Sequence, residues 1–214
     1  MISLSPGTVT DIAVLGAHCD DIAIAMGGTL RSLTPGVRVR ALVLTGGGTT
    51  REAEEHAALE AFCPDADLEL TVLDFPDGRT PAHWNAVKDA VRDFRKTCEP
   101  QLVFAPHRHD AHQDHRLLAE LVPTEFRDHL ILGYEILKWE TDTPRPTVFH
   151  ALSSEAAHEK ARLLHKCYPS QEHHDWFEEE SFLGLARLRG VQCRAPYAEA
   201  FMLDKAVLTL GKGQ

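Results

Sequence analysis

Two short stretches of this 214-residue chain concentrate side chains that do chemistry. The first, GAHCDD at residues 16–21, follows an apolar run. The second, HRHDAHQDHR at residues 107–116, places His107, His109, His112 and His115 beside Asp110 and Asp114. Two imidazoles and one carboxylate, with open positions for water, suit a catalytic zinc ion. Such an ion polarises a carbonyl and brings a bound water to a pKa of about 7. Hydrolysis also needs a base beside that water, and the adjacent Asp20 and Asp21 can divide the labour, one acid for the metal and one for the proton. A donor to the developing oxyanion is the remaining requirement. His112 and His115 are three apart and share a face of any helix they lie on, so one can bind metal while the other faces substrate. Asp114 or Asp110 would then orient an imidazole. Plainer readings compete: a helix cap at Asp20 and Asp21, a nucleophilic thiol at Cys19, or a solvated polar loop at 107–116.

For both stretches to form one site, the fold must bring them together. The runs DIAVLGA (11–17), VRVRALVLT (37–45), DLELTVLDF (67–75) and QLVFAP (101–106) predict strands. Between them, Met26 to Leu33, Thr50 to Phe62 and Ala82 to Thr97 predict helices. In the last of these, Trp84, Val87, Val91 and Phe94 make an apolar stripe. Strand and helix in alternation imply a parallel sheet with right-handed crossovers. The expected fold is therefore α/β: a Rossmann-like, parallel-sheet, three-layer domain. In a sheet of order 3-2-1-4-5 the first and fourth strands are neighbours, and ligands bind beyond their carboxyl ends. GAHCDD follows the first strand and HRHDAHQDHR the fourth, so they should face one crevice.

The rest is a less regular α+β part. It holds a helix from His112 ending near Pro123, strands at 129–139 and 147–152, and a helix capped by Ser153 or Ser154. A further helix stops at Gly190, and a last strand falls near Ala198. No repeat or linker divides the chain, so residues 1–214 read as one domain.

Composition narrows the functions. Acids outnumber Lys plus Arg by 32 to 22, for a net charge of −10, and no basic stripe is present. Nucleic-acid binding is therefore not expected. No run approaches the roughly 18 apolar residues of a membrane span, and the N-terminus lacks a signal-peptide pattern, so a cytoplasmic protein is expected. The five cysteines are scattered and contain no C-x-x-C, which predicts free, reduced thiols.

AHCDDIAIAMGGTL and DAHQDH resemble the two signature segments of the PIG-L (LmbE-like) deacetylase family. The first is usually written A-H-P-D-D-E followed by Gly-Gly-Thr-Leu, and the second ends in His-x-Asp-His. The resemblance covers the α/β half best, and it departs at Cys19, where Pro is common, and at Ile22, where Glu is common. It implies that His18, Asp21 and His115 ligate the metal, usually zinc, with another divalent ion such as Fe2+ as the other option. Asp20 would be the general base toward metal-held water. His112 would stabilise the oxyanion or protonate the leaving amine, with Asp114 as its orienting partner. The resemblance also implies the substrate class, an N-acetylated amino sugar or glycoconjugate that loses its acetyl group. Arg51, after TGGGTT, resembles a family arginine that reaches sugar or phosphate groups, and Asp77 in FPDG borders the expected crevice.

The residues alone leave two other functions open. His18 and Asp20 with a distant histidine satisfy the two-histidine, one-carboxylate pattern of a non-haem iron oxygenase, though such enzymes sit on β-rich double-sheet folds. A non-catalytic nucleotide or sugar binder is the second. Cys19 reads best as a small packed side chain, because nearby histidines serve a metal better than a thiolate. Gly27-Gly28 and Gly46 to Gly48 match no phosphate-binding motif and suggest packing and turns. His83, His129, His150, His158 and His165 read as structural or exposed. His173-His174 suggest a loop near the site mouth. Tyr168 and Gln171 would shape the pocket or pack a helix end.

Overall fold

The first strand, β1 (Asp11–Gly16), is buried along its whole length, because helices cover both its faces. Ile12 and Val14 enter one apolar cluster while Ala13 and Leu15 enter another. The computed structural model describes residues 3–208, so the extreme ends of the expected 1–214 domain lie outside the described residues. After β1 come α1 (Asp21–Arg31), β2 (Arg38–Thr45), α2 (Thr50–Phe62), β3 (Asp67–Phe75) and α3 (Trp84–Arg95). Then follow β4 (Leu102–Pro106), α4 (Gln113–Glu125), β5 (Leu130–Tyr134), β6 (Val148–Leu152), α5 (Ser154–Cys167), α6 (Glu179–Cys193) and β7 (Tyr197–Leu203).

These strands form one seven-stranded sheet in the order β3-β2-β1-β4-β5-β7-β6. The first five are parallel, and β7 runs antiparallel to both β5 and β6. Helices α1, α2, α5 and α6 pack into the cluster on one face, and α3 and α4 into the cluster on the other. The expected α/β class and the 3-2-1-4-5 order are both present. Among the described residues no helix is long and apolar enough to cross a membrane. All five cysteines are free.

Three elements differ from the sequence expectation, each for a packing reason. Helix α1 begins at Asp21, not Met26. Every residue from Asp21 to Leu30 is buried, so it lacks the amphipathic period that marks a surface helix. It kinks at Met26 (φ −141°, ψ 22°). The N–H groups of Gly28 and Thr29, just past the kink, donate to the Glu199 carboxylate of β7 at 2.8 and 2.6 Å. The Thr29 hydroxyl adds a third bond at 2.6 Å, and Lys160 of α5 neutralises the same carboxylate at 2.6 Å. A Cβ on Gly28 would sit 2.6 Å from the end of the Leu152 side chain, which would have to shift to admit it.

Strand β5 stops at Tyr134, short of the expected residue 139. There Glu135 turns away to a buried bidentate pair with Arg189 at 2.7 and 2.5 Å. Helix α6 continues past Gly190 to Cys193 and ends on Arg194 in the left-handed region (φ 64°). Gly190 is needed for contact: a Cβ there would sit 2.7 Å from the Tyr197 Cα of β7. Helix α4 carries Pro123 within its last turn and ends at Glu125.

The Glu199 arrangement yields a stability test. Glu199→Ala strands the Lys160 ammonium and frees two buried helix N–H groups. Breaking one partner of a buried pair costs about 3–5 kcal/mol. Urea denaturation should show a loss of that order, with Lys160→Met/Glu199→Gln recovering part of it. A change within roughly 0.5 kcal/mol, the range of an ordinary surface substitution, would refute the role.

Candidate active site

The β1–α1 and β4–α4 junctions meet because β1 and β4 pair in parallel, Ile12 opposite Leu102 and Val14 opposite Phe104. At the first junction the chain passes through Asp20 with φ 124°, a conformation costly for a residue with a Cβ. Asp20 makes no side-chain cap to the helix. The Asp21 carboxylate instead turns back on the loop, where its Oδ2 accepts the N–H groups of Ala17 at 2.8 Å and His18 at 2.9 Å. The helix-cap reading therefore does not describe either acid.

This fixed oxygen lies 3.2 Å from His115 Nε2 and 3.7 Å from His18 Nδ1, and the two nitrogens are 3.0 Å apart. Three polar atoms thus form a small triangle at the floor of the crevice. The ring nitrogens of His18, His112 and His115 also offer one atom each within 4.8 Å of one another.

Carboxylates support each imidazole from outside the triangle. His18 Nε2 faces Asp114 Oδ2 at 3.2 Å and Asp77 Oδ1 at 3.1 Å. Asp110 Oδ2 lies 3.0 Å from His115 Nδ1, an ion contact off the N–H axis. Burial disfavours the His18 imidazolium, but hydrogen bonds to Asp114, Asp21 and Asp77 outweigh it and raise its pKa well above the ordinary value. Burial acts the same way on His115, and Asp21 and Asp110 overcome it to hold that pKa at about 9. Asp21 is pushed up by burial but drawn further down by His115 and His18, ending well below the carboxylate range. The carboxylates around the two rings make the site strongly negative.

Asp114 takes a different position from the one the resemblance implies. Its carboxylate is held by the Gly78 N–H (2.7 Å), the Thr80 N–H (3.1 Å) and the Thr80 hydroxyl (2.7 Å), which aim it at His18 and not at His112. His112 is oriented by backbone: it caps α4, and its Nδ1 accepts the Asp114 N–H at 3.3 Å. An accepting Nδ1 fixes the neutral tautomer with hydrogen on Nε2. Burial together with the charges of His18 and His115 lowers the His112 pKa, favouring that neutral form.

Arg51, expected to reach substrate, is engaged within the protein. Its guanidinium donates to Asp20 Oδ2 at 2.8 Å and to the Cys19 carbonyl, and it contacts Glu54 and the Ser170 hydroxyl. It also lies over the Tyr168 ring, 5.8 Å from the centroid. Asp77 is at the site, but it is spent on His18. Cys19 is buried with its Sγ directed to the Thr45 carbonyl at 3.4 Å, and burial and nearby carboxylates push its thiol up, against any nucleophilic role.

The sequence reading missed Lys138, Asp142 and Glu55. Lys138 Nζ bridges Asp110 at 2.9 Å and Asp142 at 2.7 Å, behind His115. Its charge interrupts the apolar run ILKW, and that was the available signal. Glu55 lies fully buried on the face of α2 that carries Ala58, Leu59 and Phe62. An acid within an apolar stripe marks it.

With this geometry in view, relatives can be weighed. The PIG-L family, described as GlcNAc-PI de-N-acetylase, matches residues 13–125, more than half of the chain and both junctions of the crevice. The chain belongs to the PIG-L family. The Escherichia coli protein "Uncharacterized deacetylase YaiS" is 30% identical over 166 residues, 72% of this chain and 89% of that protein. The N,N'-diacetylchitobiose deacetylase of Pyrococcus horikoshii, solved with an inhibitor, superposes with TM-score 0.71 at 22% identity, covering 91% of this chain and 84% of that one. The 4-carboxy-2-hydroxymuconate hydratase GalB of Pseudomonas putida superposes with TM-score 0.69 at 18% identity, covering 95% and 100%. These superpositions show the shared fold, which serves more than one reaction. Membership makes this PIG-L protein an enzyme of the deacetylase type. Neither an oxygenase nor a non-catalytic binder is favoured.

Glu55 gives a pH prediction. Its Oε2 accepts the Tyr168 hydroxyl at 2.6 Å, while Oε1 is buried without a partner. Burial pushes this carboxyl up, the Tyr168 bond pulls it down, and Asp20 and Asp21 push it up again, leaving it at about 8 against an ordinary 4.5. Between those values the unfolded chain has lost this proton and the folded chain keeps it. Its contribution to stability is therefore intact below the lower value, declines as pH rises through the window, and is flat above it. Urea midpoints of wild type and Glu55→Gln should converge towards acid and diverge towards pH 8, with the variant the more stable. A pH-independent difference would refute the assignment.

Proposed function

We propose that the protein is a divalent-metal-dependent hydrolase that removes the acetyl group from an N-acetylated amino sugar or sugar conjugate. The observation that carries this reading is the triangle of His18 Nδ1, Asp21 Oδ2 and His115 Nε2, with Asp20 and His112 beside it. Three ligand atoms on a tetrahedral ion with bonds of about 2.0–2.1 Å stand about 3.3 Å apart. The measured edges of 3.0, 3.2 and 3.7 Å bracket that figure. Two imidazoles and one carboxylate fit zinc, with Fe2+ as the other candidate. The carboxylates of Asp21, Asp77, Asp110 and Asp114 around the two rings are a further fit to a cation. The family description as a de-N-acetylase of a GlcNAc conjugate supports the substrate class.

Bound at these atoms, the ion supplies Lewis acidity toward the amide carbonyl and an acidified water with a pKa of about 7. The chain's own residues handle the protons. Asp20 takes one from the attacking water. Burial raises its pKa, Arg51 opposes this, and Asp21 adds to it. Arg51 holds the Asp20 carboxylate and bonds the carbonyl of Cys19 just before it. Neutral His112 presents its Nε2–H to the oxygen that gathers negative charge, and Asp20 passes the proton it took from the water to the departing nitrogen. Asp114 and Asp110 hold the His18 and His115 rings in register.

The roles separate in one experiment that measures bound metal and acetate release on the same samples. His115→Ala and Asp21→Asn should lose metal and activity together. Asp20→Asn should keep the metal while kcat falls about 10²–10⁴-fold. His112→Ala should keep the metal with a fall of about 10²–10³-fold. Full acetate release by Asp20→Asn, or unaltered metal content in His115→Ala, would defeat the proposal.

A further inference from the structure

The catalytic residues leave unused an aromatic patch where two loops of the less regular half meet. Trp139, after β5, is 63% exposed. Its indole N–H donates to Asp175 Oδ1 at 2.8 Å, which fixes the ring. The His174 ring meets it edge-on at 5.4 Å, and Trp176 does so at 6.1 Å. His174 in turn stacks on Trp176 at 5.9 Å, and His173 lies 3.9 Å from His174. Single exposed apolar residues are ordinary, but a contiguous and internally braced group is not.

Two tethers place this patch at the crevice. Lys138, the residue before Trp139, reaches inward to Asp110, which supports His115. On the other loop the Ser170 hydroxyl accepts from Arg51 at 3.0 Å, and Arg51 lies close enough for its charge to act on His174. The patch is thus joined to the His115 side of the site through one loop and to the Asp20 side through the other.

We infer that Trp139, with Asp175 and His173, forms a subsite that takes a second pyranose ring, the one attached to the acetamido sugar at the catalytic centre. A pyranose has an apolar face of C–H groups and a rim of hydroxyls. A held indole face covers the first, and an acid and imidazoles bond the second. This inference rests on the sugar reading above and extends it to the substrate's length.

The test compares N-acetylglucosamine with its β-linked disaccharide. In metal-loaded enzyme, Trp139→Ala should lower kcat/KM for the disaccharide about tenfold, the effect of losing about 1.4 kcal/mol of contact. The loss should appear in KM. Turnover of the monosaccharide should stay within about twofold, and Trp139→Phe should recover part of the loss. Calorimetric binding to Asp20→Asn protein reads the subsite without turnover, and there the disaccharide should bind more tightly than the monosaccharide only when Trp139 is present. Equal losses for both sugars, or no disaccharide preference in binding, would overturn the subsite. So would a Trp139→Ala variant that changes only the sedimentation of the protein, since the patch would then join two copies of the chain. Trp139-dependent binding without acetate release from either sugar would uphold the subsite and defeat the deacetylase reading alone.

Discussion

Parallel pairing of β1 with β4 brings residues nearly a hundred positions apart to one rim, and the register Ile12 to Leu102 decides which side chains meet there. Because both strands are buried on both faces, their ladder is held by the two apolar clusters together. The polar junctions beyond the strand ends can then carry strain and uncompensated charge. Asp20 at φ 124° is the visible instance, and Arg51 holds it in place.

Electrostatics give the crevice its character. Asp21, Asp77, Asp110 and Asp114 surround two histidines; Lys138 pairs with Asp110, and Arg51 pairs with the neighbouring Asp20. Each basic residue sits behind the triangle or to its side. The excess negative charge is left where a divalent ion would neutralise it. Asp21 reaches this position because backbone N–H groups hold its oxygen, which removes the freedom of an exposed carboxylate.

The less regular half also supports the site. Glu199 of β7 and Lys160 of α5 secure the broken helix whose first residue is Asp21. The Glu135–Arg189 pair turns the chain out of β5, and Lys138 then reaches Asp110 behind His115. Ion pairs buried in this way are weak sources of stability. Here they fix the direction of two chain segments.

Much of this was legible in the residues themselves. Hydrophobic runs and turn positions determined the strand–helix alternation, the sheet order of the first half, and the meeting of GAHCDD with HQDH, since short-range patterns reflect which faces are buried. Periodicity failed for α1, which is apolar all round, and at Gly190, where glycine serves contact and not termination. What only the tertiary structure decided is the pairing of polar groups: Asp114 with His18, Asp110 with His115 and Lys138, Arg51 with Asp20, and Glu199 with Gly28 and Thr29. A sequence carries the number and type of such groups. Which donor finds which acceptor depends on directions and distances of a few ångströms, and packing sets these between segments that the sequence keeps far apart.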